Sequence, residues 1–383
     1  MIKNLINLKL FQNNEMTKFY WSIFIMSFGE SLINIFVPIY LYNLGFKIPQ
    51  ILFFYFLVSL FFLCFAYIGA KTTANIGHKL SILISTPFLI LYYLGLTQVN
   101  SQDILFYICP VFLALRMIFF NYGYHLNFLN HSLQNQRGQE LAWFGILKLL
   151  AVIMAPFVGG LIATQDFHVL FQISSFLILF GTTPLLFSQD FYQKIEFSPK
   201  SLNQKITSKN NRPNVVSFSS YAIESIIGRT IWPIFLIIIL GTIKKTGLVI
   251  SLSMLISLLA FYYIGKITDR FSKIKLLQLG TFLYFFAWIG RIFADNAFRV
   301  LLVDSYKNLT EKILQIPWSA HNYDLAQRQN CFEFVVAREI IFNLSRVFIL
   351  PLLILIFHFD FHPFAFSFLI AALCSLGYQL IEK

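Results

Sequence analysis

A chain of 383 residues that is 57% hydrophobic, 18% aromatic and only 12% charged, with a mean hydropathy of +0.70, lacks the polar surface of a soluble domain, where about a quarter of residues are charged. Its net charge of +12 needs no nucleic-acid partner, because the basic residues gather in connections on one side of the apolar runs. The four cysteines (Cys64, Cys109, Cys331, Cys374) are scattered without metal spacing, so they are expected to pack, and neither metal nor cofactor is expected.

Apolar runs of roughly 20 residues, each enough to cross about 30 Å of hydrocarbon, recur at 19–44, 49–70, 79–97, 103–124, 140–163, 167–188, 214–241, 246–266, 275–294, 297–321, 332–357 and 361–381. They predict an all-α integral membrane protein with about twelve transmembrane helices embedded in a lipid bilayer. Met1 to Lys18 lacks the apolar core and cleavage site of a signal peptide and reads as a cytoplasmic leader. With the N-terminus inside, the inner segments carry Lys71, Lys79, Arg137, Lys194, Lys200, Lys205, Lys209, Arg212, Lys266, Arg270, Lys273, Lys275 and Arg328, besides Lys3, Lys9, Lys18 and Lys383. The outer segments carry only Lys47, Lys244, Lys245 and Arg299. This positive-inside bias predicts a multi-pass protein of the plasma membrane with both termini cytoplasmic.

One connection is long. Residues 189–213 are rich in Lys, Asn and Ser without apolar periodicity, and are expected to run unpacked over the cytoplasmic surface. They divide the chain into 1–188 and 214–383. The two parts look like copies. The first span reads Glu30-Ser31-Leu32-Ile33, Pro38-Ile39, Leu44-Gly45, and the seventh reads Glu224-Ser225-Ile226-Ile227, Pro233-Ile234, Leu240-Gly241. The fourth has Arg116, Tyr122-Gly123 and His125 where the tenth has Lys312, Trp318-Ser319 and His321. The expected architecture is therefore two pseudo-symmetric six-helix bundles, a construction usual in secondary transporters, with the substrate site between the halves.

Ionisable residues within spans are expensive and mark cavities or pairs. They are Glu30 in the first span, Arg116 in the fourth, Lys148 in the fifth, Glu224 and Arg229 in the seventh, Arg291 near one end of the ninth, Asp304, Lys307, Glu311 and Lys312 in the tenth, and Arg338, Glu339 and Arg346 in the eleventh. Asp304, Lys307 and Glu311 share one helical face, extended by Asn308 and Gln315. That stripe reads either as a proton or substrate relay, or as Lys307 neutralising its two neighbours. Glu30 and Glu224 are candidates for proton coupling, since a poorly solvated carboxylate resists ionisation. Glu30 reads equally as a permanent partner of Arg116 or Lys148; Arg229, five residues after Glu224, is at an awkward angle for pairing with it. The excess of cations favours an anionic or zwitterionic solute, unless Arg338, Glu339 and Arg346 form a static network.

Between the eighth and ninth spans the chain reads Gly265-Lys266-Ile267-Thr268-Asp269-Arg270-Phe271-Ser272-Lys273-Ile274-Lys275. This resembles the cytoplasmic-loop signature of the major facilitator superfamily (MFS), with Ser272 in place of its second Gly. Ala155-Pro156-Phe157-Val158-Gly159-Gly160 resembles the end of that superfamily's antiporter signature, with Ala replacing the first Gly; it also reads as a packing kink without bearing on direction. The resemblance implies that spans one, four, seven and ten line a central cavity, and that most of the charged residues above face it. It implies that Asp269 contacts the start of the fifth span, near Arg137 to Glu140, and that Gly265, Arg270 and Lys275 complete a gating loop. The corresponding first-half loop, Gly69 to Lys79, keeps only Gly77 and Lys79 and places Thr73 or Ala74 at the Asp position.

The function these features predict is a monomeric secondary active transporter of a small-molecule substrate, working by alternating access. It is expected to be proton-coupled, as an efflux antiporter or as an importer of an anionic or zwitterionic metabolite. A membrane-embedded enzyme is disfavoured, because the chain has no Gly-x-Ser-x-Gly, His-Glu-x-x-His or Walker-type motif. His125 and His321 read as interfacial hydrogen-bonding residues. The departure in the first-half loop leaves a non-transporting sensor or assembly partner as a rival.

Overall fold

The structure, a computed structural model, describes the backbone of residues 14–100, 104–131, 137–188, 195, 197–268, 273–328 and 330–381; the side chains of 14–16, 126–131, 137–150, 257–268, 273–274 and 320 fall outside the described set. Every regular element among the described residues is helical. The first part of the chain forms α1 (Asn14–Ile33), α2 (Phe36–Asn43), α3 (Ile48–Ile76), α4 (His78–Leu96), α5 (Leu105–His131), α6 (Arg137–Gln165) and α7 (Phe167–Leu186). After α8 (Pro199–Thr207) come α9 (Arg212–Leu240), α10 (Ile243–Thr268), α11 (Lys273–Arg291), α12 (Ala297–Gln327), α13 (Cys331–Phe359) and α14 (Pro363–Ser375), closed by a short 3-10 turn, Leu376–Leu380. Among the described residues, eight helices are long and apolar enough to cross a membrane by length and composition.

Local chemistry marks where these helices start and stop. The Asp166 side chain accepts from the His168 backbone N–H at 2.7 Å to open α7. Asn296 does the same for Arg299 at α12 (3.0 Å), and Asn330 for Phe332 and Glu333 at α13 (3.2 and 3.3 Å); each satisfies donors that the first turn leaves unpaired. The first and seventh spans both end on a glycine at positive φ, Gly45 at 90° and Gly241 at 74°. A side chain would be strained there, which explains why both copies of the Leu-Gly pair carry glycine.

The outer surface is apolar, as a lipid-facing surface must be and a soluble one cannot be: Phe176 is 67% exposed, Phe282 57% and Phe348 73%. Inside, one apolar cluster joins buried residues from Phe19 to Leu185 and is touched by Ile234 and Ile237. A second joins buried residues from Phe218 to Ile381 and is touched by Leu52. Helices of the first part pack mainly on one another (α1 on α6 and α7, α5 on α3 and α4), and so do those of the second (α9 on α13 and α14, α12 on α10 and α11). The chief crossings between the parts are α3 against α13 and α6 against α10.

At the second crossing, the backbones approach closely along the Pro156-to-Gly160 stretch. Gly160 lies where a Cβ would sit 3.3 Å from the Gly247 Cα, and a Cβ on Gly247 would run into the Pro156 carbonyl. Gly159 is pressed against the Leu32 carbonyl of α1. Pro156 sits inside α6, which continues as one helix to Gln165. The motif therefore serves close approach on two sides of α6.

The connection after α7 departs from expectation. Instead of running unpacked, residues 199–207 form α8, and Leu202 is fully buried in an apolar cluster with Ala74 and Phe332, against which Ile195, Phe197 and Ile206 pack. Four apolar residues spaced through a polar stretch give it one sticky face, which an average over composition conceals. Lys205 then pairs with Glu333 at 2.7 Å, and Asn203 accepts a hydrogen bond from Tyr67, so α8 ties α3 to α13.

Gly280 of α11 tests this packing. A Cβ there would lie 2.8 Å from the Leu314 backbone nitrogen of α12, so Gly280→Val should lower the melting temperature of the purified protein in detergent, at a cost of about 1–3 kcal/mol. Gly290→Ala, whose Cβ would meet only the Val303 side chain at 3.5 Å, should leave it unchanged.

Candidate functional site

A cavity of about 240 Å³ opens between α5 of the first part and α9, α12 and α13 of the second. Each helix contributes one face. Asn121 and His125 stand four residues apart on α5, as do Trp318 and Asn322 on α12; Arg338, Phe342 and Arg346 repeat at the same interval on α13, and Tyr221 and Arg229 are eight apart on α9. Residues at these intervals project from the same side of a helix. Glu339 completes the polar lining.

The lining is strongly polar and crosses between the parts. Arg338 donates to its neighbour Glu339 at 3.0 Å and approaches His125 Nε2 at 2.7 Å. Asn121 donates to the other Glu339 oxygen at 2.9 Å, and His125 Nδ1 lies 3.1 Å from the Tyr323 hydroxyl. The α5 pair thus holds α13 through hydrogen bonds that involve charged groups, about twice as strong as neutral ones, and α12 through the Tyr323 hydroxyl. On the opposite wall Tyr221 stacks on Trp318, ring centroids 5.0 Å apart. Arg229 reaches the Tyr221 hydroxyl at 3.4 Å.

Of the ionisable side chains that the sequence gathers into a central cavity, Arg229, Arg338, Glu339 and Arg346 line this one; Glu30, Arg116, Glu224, Asp304, Lys307, Glu311 and Lys312 do not. Most of these instead find partners on neighbouring helices of their own half. Glu30 is ion-paired with Arg116, which also donates to Ser85 at 3.3 Å and lies over the Phe120 ring at 3.6 Å. Asp304 pairs with Arg291 at 2.8 Å, both buried, and the Arg291 guanidinium is sandwiched between Trp232 and Trp288 at 4.0 and 4.3 Å. Lys307 pairs with Glu311 at 3.0 Å, and Gln315 donates to Glu311 at 3.0 Å. Lys307 therefore neutralises one of its two neighbours, while Arg291 takes the other. Lys312 is partly buried beside them. The side chain of Lys148, and Asp269 and Arg270 of the gating loop, lie outside the described residues; Gly265 belongs to α10, and Lys275 to α11, which starts at Lys273.

Glu224 differs from all of these. It is buried, and its two oxygens accept from the Tyr284 hydroxyl at 2.7 Å and the Tyr378 hydroxyl at 2.8 Å. No cation lies within ion-pair distance of it among the described residues. Tyr378 in turn contacts two of the cavity aromatics, Trp318 at 5.4 Å and Tyr221 at 6.0 Å between ring centroids. Sequence reasoning treated His125 as an interfacial residue and did not single out Asn121, Tyr221 or Asn322. The four-residue interval between Asn121 and His125, on a span that also carries Arg116, was the available signal.

No family model matches the chain, and no curated protein matches it in sequence. Solved structures do. The chain is similar to a point mutant of the nucleoside transporter NupG with a TM-score of 0.72 and 12% identity, over 96% of this chain and 99% of that one. Unmutated NupG gives a TM-score of 0.67 and 12% identity, with 95% and 98% covered. A POT family transporter in complex with 5-aminolevulinic acid gives 0.70 and 12%, with 94% of each chain covered. At that identity the likeness shows the fold, and it is the major facilitator fold that the loop motif implied.

The buried Arg291–Asp304 pair is expected to be structural. Asp304→Asn leaves a guanidinium without its counter-charge and should destabilise the protein by about 3–5 kcal/mol, whereas the apolar double variant Arg291→Met with Asp304→Leu should recover most of that loss. Thermal melting in detergent measures both.

Proposed function

We propose that this protein is a secondary active transporter of a small solute, with the cavity between α5, α9, α12 and α13 as its substrate site. The observation that carries this reading is the polar cavity itself, built from both parts of the chain and bridged by Asn121–Glu339 and His125–Arg338. Such a site sits where two halves must separate to admit a solute, as alternating access requires. The architecture we infer is twelve spans in two six-helix bundles, 1–188 and 214–383, joined by 189–213, with both termini cytoplasmic. The separate apolar clusters and the α3–α13 and α6–α10 crossings support it.

Proton coupling is part of the proposal, and Glu224 is its carrier in preference to Glu30. Glu30 has Arg116 as a counter-charge; Glu224 has two tyrosine hydroxyls, and those can turn from donor to acceptor when the carboxyl takes a proton. The Tyr378 contact with Trp318 and Tyr221 connects that event to the cavity wall.

Proteoliposomes test both claims. A small solute should exchange across the membrane in counterflow, and an imposed pH gradient should drive its accumulation. Glu224→Gln should abolish the response to the gradient by at least tenfold while counterflow persists. A variant that accumulates solute normally under the gradient would remove Glu224 from the mechanism, and absence of both counterflow and accumulation across nucleosides, amino acids and organic acids would sink the transporter reading.

A further inference from the structure

The charge balance of the cavity is incomplete. Arg338 and Glu339 compensate each other, but Arg229 and Arg346 have no carboxylate within ion-pair distance among the described residues. Arg229 has a 3.4 Å contact with a tyrosine hydroxyl. Arg346, only 6% exposed, has a 3.4 Å contact with the Asn343 side chain, and its Nε has no hydrogen-bond partner. The two guanidiniums come from α9 and α13, which pack against each other, and both line the same void.

Beside them stands a second unmet demand. Asn322 is 2% exposed, and neither its Oδ1 nor its Nδ2 has a partner. A buried amide with both ends unsatisfied pays its full desolvation cost unless something binds to it. Arg346, buried without a counter-charge, carries a similar penalty that an anion would relieve, and Arg229, exposed on the same lining, is placed to share that anion. The chain has thus left open two cationic positions and one donor–acceptor pair, grouped around about 240 Å³ of space with an aromatic wall.

Resting on the transporter reading above, we propose that the substrate is a small organic anion whose carboxylate or phosphate is held by Arg229 and Arg346, and that a hydroxyl or amide on the same molecule is read by Asn322. Guanidiniums suit these groups because their planar fork matches two acceptor oxygens at once. Asn322 supplies both a donor and an acceptor, so it selects among anions by their second polar group. The Tyr221–Trp318 stack flanks the apolar remainder.

The test is thermal stabilisation of the purified full chain in neutral detergent, with matched charged and uncharged probes: glutamate against glutamine, benzoate against benzamide, glycerol 3-phosphate against glycerol. Phosphatidylglycerol against phosphatidylcholine forms a separate arm. At least one soluble anion should raise the melting temperature in a dose-dependent manner while its neutral counterpart does not. Arg346→Gln and Arg229→Gln should each weaken that affinity by roughly tenfold to a hundredfold, with Arg346→Lys intermediate and the ligand-free melting curves marking which variants are folded. Asn322→Ala should weaken glutamate or glycerol 3-phosphate more than benzoate. Equal stabilisation by neutral probes, stabilisation by the anionic lipid alone, or no shift with any soluble anion overturns the assignment. Counterflow of a neutral solute would retire the anion and leave the carrier standing. Anion binding without any counterflow would do the reverse.

Discussion

A charge placed where water is scarce needs a counter-charge, and most of this protein's polar interior follows from that constraint. Three ion pairs answer it within single halves: Glu30 with Arg116, Asp304 with Arg291, and Glu311 with Lys307. Aromatic rings assist, with Phe120 under Arg116 and two tryptophans around Arg291, supplying the attraction that a ring face offers a cation. Where the constraint is met inside one half, the residues lock neighbouring helices together. Arg338 and Glu339 pair within α13, and their further hydrogen bonds to His125 and Asn121 of the other part are contacts that must break if the two parts separate.

The two similarly patterned spans hold their carboxylates differently. Both place a Glu in the same local motif, and both end the span on a left-handed glycine. In the first half the fourth-span Arg116 reaches Glu30. In the second, the corresponding Lys312 is not the partner of Glu224, which is held by Tyr284 and Tyr378. A neutral donor pair leaves a carboxyl free to change its protonation without stranding a cation, so the divergence gives the halves unequal roles: a static strut in one, and the proposed proton carrier in the other.

The void and the carboxylate are separate sites with a shared wall. Trp318 donates its indole N–H to Ser217 at 2.9 Å, and Ser217 donates to the Tyr378 carbonyl at 3.0 Å. The tyrosine that grips Glu224 is therefore fastened to the aromatic pair facing the cavity. A rigid linkage of this kind is the physical means by which the proposed proton event at Glu224 would be felt at the proposed substrate site.

Much was legible in the sequence. Apolar runs of bilayer length and sparse charge were enough for an all-helical membrane protein, because those features depend on length and composition alone; the major facilitator fold was implied only by the resemblance of residues 265–275 to that superfamily's loop signature. Single-span polar spacing also exposed the cost of each intramembrane charge. Which charges meet was a different matter. Arg291 near a span end turned out to belong to Asp304, His125 lined the cavity, and the polar connection after α7 docked through Ile195, Phe197, Leu202 and Ile206. Periodicity along one helix says which residues share a face, but the azimuth of that face is set by what packs behind it. Pairing, void and docked linker were therefore decided only when the helices came together.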